Sequence, residues 1–215
     1  METELKYRFP HKDGPTRFLE DRWIHEMALP EGLQEYEMDA RYFDTEEGTL
    51  QSLGAAFRIR EEGEAIVATL KTRSKVVGSL HQRMEWSLEQ EDDQPDPERF
   101  RRMAHSQGDP DEVLEEIMEA LGDRELKEIA RTRFDRSVLL IGMEDTLVEV
   151  AVDVGTLTGG RHTEAFAELE LELKEGDARV LLALGEAMAE RYGLIPETRS
   201  KYRRCLDLAK KEEEN

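Results

Sequence analysis

Residues 2–9 read Glu-Thr-Glu-Leu-Lys-Tyr-Arg-Phe, and the stretch alternates strictly between two kinds of side chain. Its even-numbered positions carry Glu, Glu, Lys and Arg, whereas its odd-numbered positions carry Thr, Leu, Tyr and Phe. Successive side chains of a β-strand point to opposite faces of the sheet. The alternation therefore predicts a strand with one ionisable face and one largely apolar face.

Seven further segments show a related period-two pattern. They are residues 36–43, 57–60, 66–71, 80–88, 131–138, 148–154 and 167–173. Apolar residues at helical spacing lie between them, in residues 16–29, 110–121, 177–192 and 198–211. Residues 90–110, which include EDDQPDPE, favour an exposed excursion. This order of elements predicts one α+β domain dominated by an antiparallel sheet.

The ionisable faces are segregated by sign. Glu168, Glu170 and Glu172 share one face at about 7 Å spacing, and the pairs Arg58/Arg60 and 131/133 do the same with arginine. A sheet with one face in water explains alternation in general, but neighbouring like charges cost energy unless opposite charges lie among them. An eight-stranded antiparallel β tunnel, with its charged face inward and helices outside, encloses room for a small ligand and explains both signs.

Composition narrows the function classes. The chain has 215 residues, a formal net charge of −20 and one cysteine, Cys205. No run of 18 apolar residues exists, so no membrane partner is expected. The N-terminal residues lack the apolar region of a signal peptide, which predicts a cytoplasmic protein. The net charge argues against duplex nucleic acid as a partner.

Several short motifs, taken in order, resemble the CYTH domain, the fold of triphosphate tunnel metalloenzymes. They are residues 2–6 (ETELK, an ExExK pattern), 58–60 (RIR), 69–71 (TLK), 78–83 (GSLHQR), Glu85, Asp153, 168–173 (ELELEL) and 200–202 (SKY). The set extends from residue 2 to about 208, and it is most similar to bacterial inorganic triphosphatases. Many members of that branch carry a helical, basic CHAD domain as well, which we do not expect within these 215 residues.

The resemblance implies residues for each part of a site. The implied catalytic carboxylates are Glu4, Glu168 and Glu170. The implied substrate contacts are the basic residues Lys6, Arg58, Arg60, Lys71, Arg83, Arg133 and Lys201. The implied metal ligands are the acidic residues Glu2, Glu4, Asp153, Glu168, Glu170 and Glu172. The cofactor is Mg²⁺ or Mn²⁺, hard cations that carboxylate oxygens suit. Whether one or two metals bind, and which carboxylate activates water, stays open.

The resemblance implies metal-dependent hydrolysis of a small triphosphate, with inorganic tripolyphosphate as the first candidate. Related tunnels act on thiamine triphosphate or on nucleoside and RNA triphosphates, or cyclise ATP as class IV adenylyl cyclases. A non-catalytic polyphosphate-binding module is the third alternative, although pure anion binding would not need so many carboxylates. We expect residues 1–208 to form a single domain and residues 209–215 to form a solvated acidic tail. The oligomeric state stays open.

Overall fold

Eleven antiparallel strands form one sheet in the computed structural model, which describes residues 2–72, 75–77, 80–108, 111–143 and 145–211. The strands are β1 (Glu2–Arg8), β2 (Gln34–Asp44), β3 (Ala56–Glu62), β4 (Ala65–Lys71), β5 (Lys75–Val77), β6 (Leu80–Arg83), β7 (Glu85–Gln90), β8 (Lys127–Met143), β9 (Thr146–Gly159), β10 (His162–Glu175) and β11 (Ile195–Pro196). All eight predicted strands are present. Three strands are additional. One arises because residues 80–90 are divided into β6 and β7, and the other two, β5 and β11, are too short to show a period-two pattern in the sequence.

The hydrogen-bonded order of the sheet is β5-β6-β1-β10-β9-β8-β2-β3-β4-β7, with β11 beside β1. The antiparallel sheet with flanking helices agrees with the predicted tunnel fold, although within the described residues the hydrogen-bonded path does not close. Its two ends are successive parts of the same chain segment, because β4 leads into β5 through residues 72–74 and β6 leads into β7 through Met84. The opening therefore follows from the interruption of this one hairpin, and the remaining strands curve around a common interior.

Seven helices accompany the sheet in the described part of the chain. They are α1 (Gly14–Leu19), α2 (Arg22–Met27), α3 (Thr49–Leu53), α4 (Glu98–Gln107), α5 (Glu112–Leu121), α6 (Ala178–Tyr192) and α7 (Lys201–Lys210). The expected exposed excursion at 90–110 is wrong over α4, where Phe100 is fully buried in a core shared with α5. None of the helices in the described ranges is long and apolar enough to cross a membrane.

The two faces of β1 show how the sheet sorts its side chains. Leu5 and Tyr7 pack into an apolar core that includes residues of α6, whereas Glu4 and Lys6 are buried on the opposite face. Glu4 and Lys6 are largely shielded from water, so their charges must be satisfied by one another, by neighbouring groups or by a ligand. The apolar side of the curved sheet is thus covered by helices, and the ionisable side encloses the interior, as the alternation predicted.

Helix α7 closes one end of this interior. Its residues Cys205 and Leu208 join a core with Phe134 of β8 and Leu157 of β9. The helix lies so close to β9 that a Cβ atom at Gly159 would come within 1.8 Å of the Cys205 carbonyl oxygen, so only glycine allows this approach. This packing carries the first turn of α7 to the charged interior.

Candidate active site

A cavity of about 1030 Å³ occupies the concave side of the sheet. Strands β1 to β4 and β7 to β10 line it together with the N-terminal part of α7 and the residues just before that helix. Nine basic and six acidic side chains are among the described lining residues. The region therefore carries a local positive charge although the whole chain carries −20.

One side of the cavity, here called the cationic wall, consists of Arg58, Arg60 and Lys71. Arg58 donates a hydrogen bond to the neutral Thr69 hydroxyl (Nη2–Oγ1 3.3 Å), Arg60 pairs with the Glu62 carboxylate, and Lys71 Nζ lies 2.6 Å from Glu85 Oε2. The Nε atoms of Arg58 and Arg60 are buried, and neither makes a hydrogen bond within the described part of the chain. Buried donors of this kind normally have partners, so the wall offers unused donors to an anion.

The surroundings of Arg60 in the cationic wall lower the pKa of its guanidinium. Burial, followed by the charge of Arg58, lowers the pKa of Arg60 to about 10, and the charge of Arg136 acts in the same direction. Glu62 opposes the change without cancelling it. An arginine in water stays protonated far above this value, so burial together with the neighbouring arginines disfavours the charged form of Arg60 more than Glu62 favours it.

The opposite side, here called the buried floor, consists of Asp153, Glu168 and Glu170 with the cations Arg136 and Lys201. Glu170 accepts hydrogen bonds from Lys201 Nζ (2.8 Å) and Arg136 Nη2 (2.6 Å), and from Lys6 Nζ (2.9 Å) of β1. Burial raises the pKa of Glu170, but Lys201, Lys6 and Arg136 outweigh it and hold that pKa well below its usual range. Glu170 is therefore ionised throughout the neutral range.

Asp153 and Glu168 lie deeper than Glu170, and the lining of the cavity does not include them. Arg136 grips Asp153 through two hydrogen bonds of 2.7 Å, and Lys201 Nζ lies 2.8 Å from Asp153 and 3.0 Å from Glu168. Burial lowers the pKa of Lys201, yet the three carboxylates of the floor hold it well above the ordinary lysine value. Each carboxylate of the floor is thus ion-paired with cations of the protein, although Glu168 Oε2 makes no hydrogen bond within the described residues.

A row of three carboxylates crosses one level of the cavity. Glu4, Glu172 and Glu149 are direct neighbours across β1, β10 and β9, and all three line the cavity. Lys174 Nζ lies 3.0 Å from Glu172 and 3.3 Å from Glu149. Within the described residues no three His, Cys, Asp or Glu side chains converge as a ready metal cage. The donor set fits Mg²⁺ in its usual protein setting, in which one or two carboxylates and the substrate's phosphates share the ion.

The structure brings most of the predicted site residues together. The cavity is lined by Glu4, Lys6, Arg58, Arg60, Lys71, Glu170, Glu172 and Lys201. Asp153 and Glu168 lie behind it as described above. The side chains of Glu2 and Arg83 lie outside the described residues, as do residues 78 and 79 of the GSLHQR motif and the tail residues 212–215.

Arg133 is the predicted contact that the structure places elsewhere, so its expected position in the tunnel is wrong. Its side chain is 61% exposed on the outer face of β8, where it pairs with Asp39 beside Arg131. The inner arginine of this strand is Arg136 instead. In the sequence pattern Arg136 shares a face with Phe134 and Val138. That face was interpreted as apolar, so Arg136 was not predicted as a site residue.

Other basic residues of the site also escaped sequence reasoning. Lys174, Arg199 and Arg203 line the cavity, and Arg204 contacts Glu168 from behind. Arg199 precedes α7 and the other two arginines lie within it, where helical spacing gives no indication of an inward face. The KYRR run after Ser200 was the available signal, because a basic cluster at the start of a helix is unfavourable unless acidic groups lie opposite.

An apolar wall adjoins the charged groups. It consists of Tyr36 and Met38 from β2 and Val138 and Leu140 from β8, all lining the cavity. Tyr36 is one of the exposed large apolar side chains, whereas Met38 and Val138 are buried. The cavity therefore combines a polyanion site with a surface on which a planar or apolar group can pack.

Comparison with known proteins gives a consistent set of similarities. A family model described as the CYTH domain matches residues 1–206. The inorganic triphosphatase of Haemophilus influenzae is 28% identical over 172 residues, which cover 80% of this chain and 46% of that protein. The chain thus spans about half the length of this curated relative.

Two solved structures share the fold. A Hippeastrum protein described as having a dominant triphosphatase activity matches with a TM-score of 0.62 at 18% identity, over 95% of both chains. The Mimivirus capping enzyme triphosphatase matches with a TM-score of 0.53 at 10% identity, over 89% of both chains. At these identities the likeness concerns the arrangement of the strands around the cavity.

Proposed function

The chain belongs to the CYTH domain family, and on that premise we propose that it is a metal-dependent triphosphatase that hydrolyses inorganic tripolyphosphate in its cavity. The observation that carries the proposal is the cationic wall. Two half-buried arginines have buried Nε atoms that make no hydrogen bond within the described residues, and one of them has a pKa lowered to about 10 by burial and neighbouring cations. A bound polyanion would relieve both conditions at once.

Substrate binding follows from the chemistry of the wall. Each guanidinium can hold two phosphate oxygens in a planar fork, and a lysine acts as a mobile point charge. Arg58 and Arg60 lie on β3 and Lys71 on β4, while Lys6 and Lys201 approach from the opposite side. A linear triphosphate placed between these groups would replace water by fixed positive charge along its length, which is the main requirement of phosphoryl transfer.

Glu4 and Glu172 are the residues that we propose to hold a divalent cation, Mg²⁺ or Mn²⁺, together with phosphate oxygens. They are cross-strand neighbours on the cavity surface. When bound there, the ion would supply Lewis-acid stabilisation of charge on the phosphoryl oxygens. Asp153 and Glu168 are less suited to this task because they do not line the cavity, whereas the ion pairs of Glu4 with Lys6 and of Glu172 with Lys174 lie at its surface.

We assign the positioning of the attacking water to Glu170. Three cations keep it ionised and hold its pKa low, which makes it a weak base but a fixed hydrogen-bond acceptor. A loose phosphoryl-transfer transition state asks mainly for an oriented nucleophile rather than for early proton removal. Glu168, implied as catalytic by the family resemblance, acts in this proposal as the counter-ion of Lys201.

The apolar wall favours a second candidate function, hydrolysis of an organic triphosphate. Tyr36 and Met38 could pack against a base or a thiazolium ring while the phosphates occupy the cationic wall. Inorganic tripolyphosphate leaves that surface without a role. The proposal excludes duplex nucleic acid, because the net charge of −20 would repel a duplex held on an open surface of the protein. The cytoplasm stays the proposed location, and Cys205, as the one cysteine of the chain, has no second cysteine with which to form an intramolecular disulfide.

The deciding experiment incubates the purified protein with tripolyphosphate, ATP or thiamine triphosphate in Mg²⁺ or Mn²⁺ and identifies the products. We expect phosphate release from tripolyphosphate to be fastest, and to be lost in Glu170→Gln, which ties the activity to this cavity. Faster turnover of an organic triphosphate would support the second candidate. Cyclic AMP from ATP would indicate a cyclase, and binding without turnover of any substrate would indicate a polyphosphate-binding module.

A further inference from the structure

Arg204 lies behind the cavity, three residues after Lys201 on α7. It is 6% exposed and is not among the residues that line the cavity. Its guanidinium donates to Glu168 and to Glu164, the latter at 3.3 Å between Nη2 and Oε1. Burying an arginine is expensive unless it is well paired, and an apolar residue of similar volume often serves stability as well or better. The charge at this position therefore needs an explanation beyond packing.

Glu168 joins Arg204 to the cavity. One of its carboxylate oxygens contacts Arg204, while the other lies 3.0 Å from Lys201 Nζ. Lys201 also lies 2.8 Å from both Asp153 and Glu170, so one ammonium group is shared by three carboxylates. Without Arg204, Glu168 would draw more strongly on Lys201, and less of that positive charge would be directed toward a ligand.

Both cations of α7 lie over the Phe166 ring. Lys201 Nζ is 5.3 Å and the Arg204 guanidinium carbon 5.7 Å from its centroid. Phe166 itself is buried. Each cation is thus stabilised by the ring face, and each meets a different oxygen of Glu168.

We propose that Arg204 is a positioning residue, which neutralises Glu168 so that Lys201 presents its charge to the phosphate chain. The inference rests on the proposed function for its meaning, but it concerns phosphate binding and can be tested without turnover. Arg204 would act through Glu168 and would not contact the substrate. Its effect should therefore depend on the presence of the Glu168 carboxylate.

The test measures tripolyphosphate affinity by calorimetry in the absence of metal for four proteins: wild type, Arg204→Met, Glu168→Gln and the double variant. We expect Arg204→Met to weaken binding by about tenfold, because Lys201 would lose about the value of one charge-assisted hydrogen bond to the phosphate chain. In the Glu168→Gln background the same change should alter affinity by less than about twofold, because two residues that act through one contact are not additive. Arg131→Met, which removes an arginine–carboxylate pair on the outer face, is the matched control and should bind normally.

A folded Arg204→Met that binds like wild type would overturn the inference, and so would an equal loss in both backgrounds. Arg204→Met alone leaves Glu168 buried with fewer partners and can fail to fold. In that case the affinity of the double variant, which lacks both charges, is compared with that of Glu168→Gln. A difference of more than about twofold between these two variants would overturn the inference. Wild-type turnover is measured separately. Binding without hydrolysis would refute the proposed function and leave the comparison for Arg204 intact.

Discussion

The cationic wall and the buried floor face each other across one cavity, and they are built from the same residue types in different ways. In the floor, Glu170 meets three cations and Asp153 meets two, all within 2.9 Å. In the wall, Arg58 meets a neutral hydroxyl, and Arg60 keeps a pKa lowered to about 10 by its burial and its cationic neighbours. Within the described residues, every carboxylate of the floor is ion-paired, whereas Arg58 and Arg60 of the wall keep buried Nε atoms that make no hydrogen bond.

This difference separates charges that support the fold from charges that await a ligand. A buried carboxylate is tolerated when cations surround it, and removing one member of such a set leaves an uncompensated charge. A cation among other cations weakens the fold by itself and is stabilised by an anion. The two regions should therefore respond in opposite directions when a charge is removed.

The largest expected effect is on stability, in the floor. Asp153→Asn takes away a carboxylate that Arg136 and Lys201 share, and we expect the free energy of unfolding to fall by about 3–5 kcal/mol. Urea denaturation followed by circular dichroism measures it. Asp39→Asn, which disturbs the partly exposed pairs with Arg131 and Arg133, is the control and should cost about 1 kcal/mol or less. Equal losses in the two variants would remove the distinction between the floor and an ordinary surface pair.

A smaller effect of opposite sign is expected in the wall. Arg60→Met removes a cation that is only 16% exposed and that Arg58 and Arg136 repel. The free energy of unfolding should stay constant or rise by up to about 2 kcal/mol, because relief of the burial and repulsion of this charge outweighs the loss of its ion pair with Glu62. The same urea experiment measures it. A loss comparable to that of Asp153→Asn would show that the wall is as fully paired as the floor.

The smallest effect concerns pH and sharpens the assignment of the floor. Burial raises the pKa of Asp153, but Arg136 and Lys201 outweigh it and bring that pKa below the ordinary value of 3.8. A carboxylate with a lowered folded pKa contributes stability above its unfolded pKa and loses it as the pH falls through the folded pKa. The stability difference between wild type and Asp153→Asn should therefore be constant above pH 3.8 and shrink below it, by at most about 1.4 kcal/mol per pH unit. A difference that changes near neutral pH would contradict this assignment.

The alternation in the sequence was sufficient for the faces of β1, β3 and β10, because each has charges on one side and apolar residues on the other. It failed on β8, where the inner side carries Arg136 together with Phe134 and Val138. The reason lies in tertiary structure: α7 packs inside this end of the sheet, so apolar residues belong to the interior there. Helix α4 was missed for a related reason, since its charged residues conceal the buried Phe100.

The site was predictable where a single strand supplies a regular charge pattern, as in Glu168, Glu170 and Glu172. The division of those three residues was not. Glu170 and Glu172 reach the cavity while Glu168 is covered by Lys201 and Arg204 of α7. That distinction depends on where a helix far along the chain is placed, and spacing within a strand carries no information about it. The family resemblance implies a role for each of these carboxylates, and the structure shows how deeply each one is buried.

The most direct test of the account is the affinity of tripolyphosphate for wild type and Arg60→Met, measured by calorimetry without metal, with Arg131→Met as the control. If the wall is left charged for a phosphate chain, Arg60→Met should bind at least about tenfold more weakly, since hydrogen bonds to charged groups are worth about 1.5–3 kcal/mol. Arg131→Met, which alters the outer face, should bind like wild type. Equal affinities for wild type and Arg60→Met would contradict the account, because the uncompensated charge of the wall would then have no ligand in this cavity.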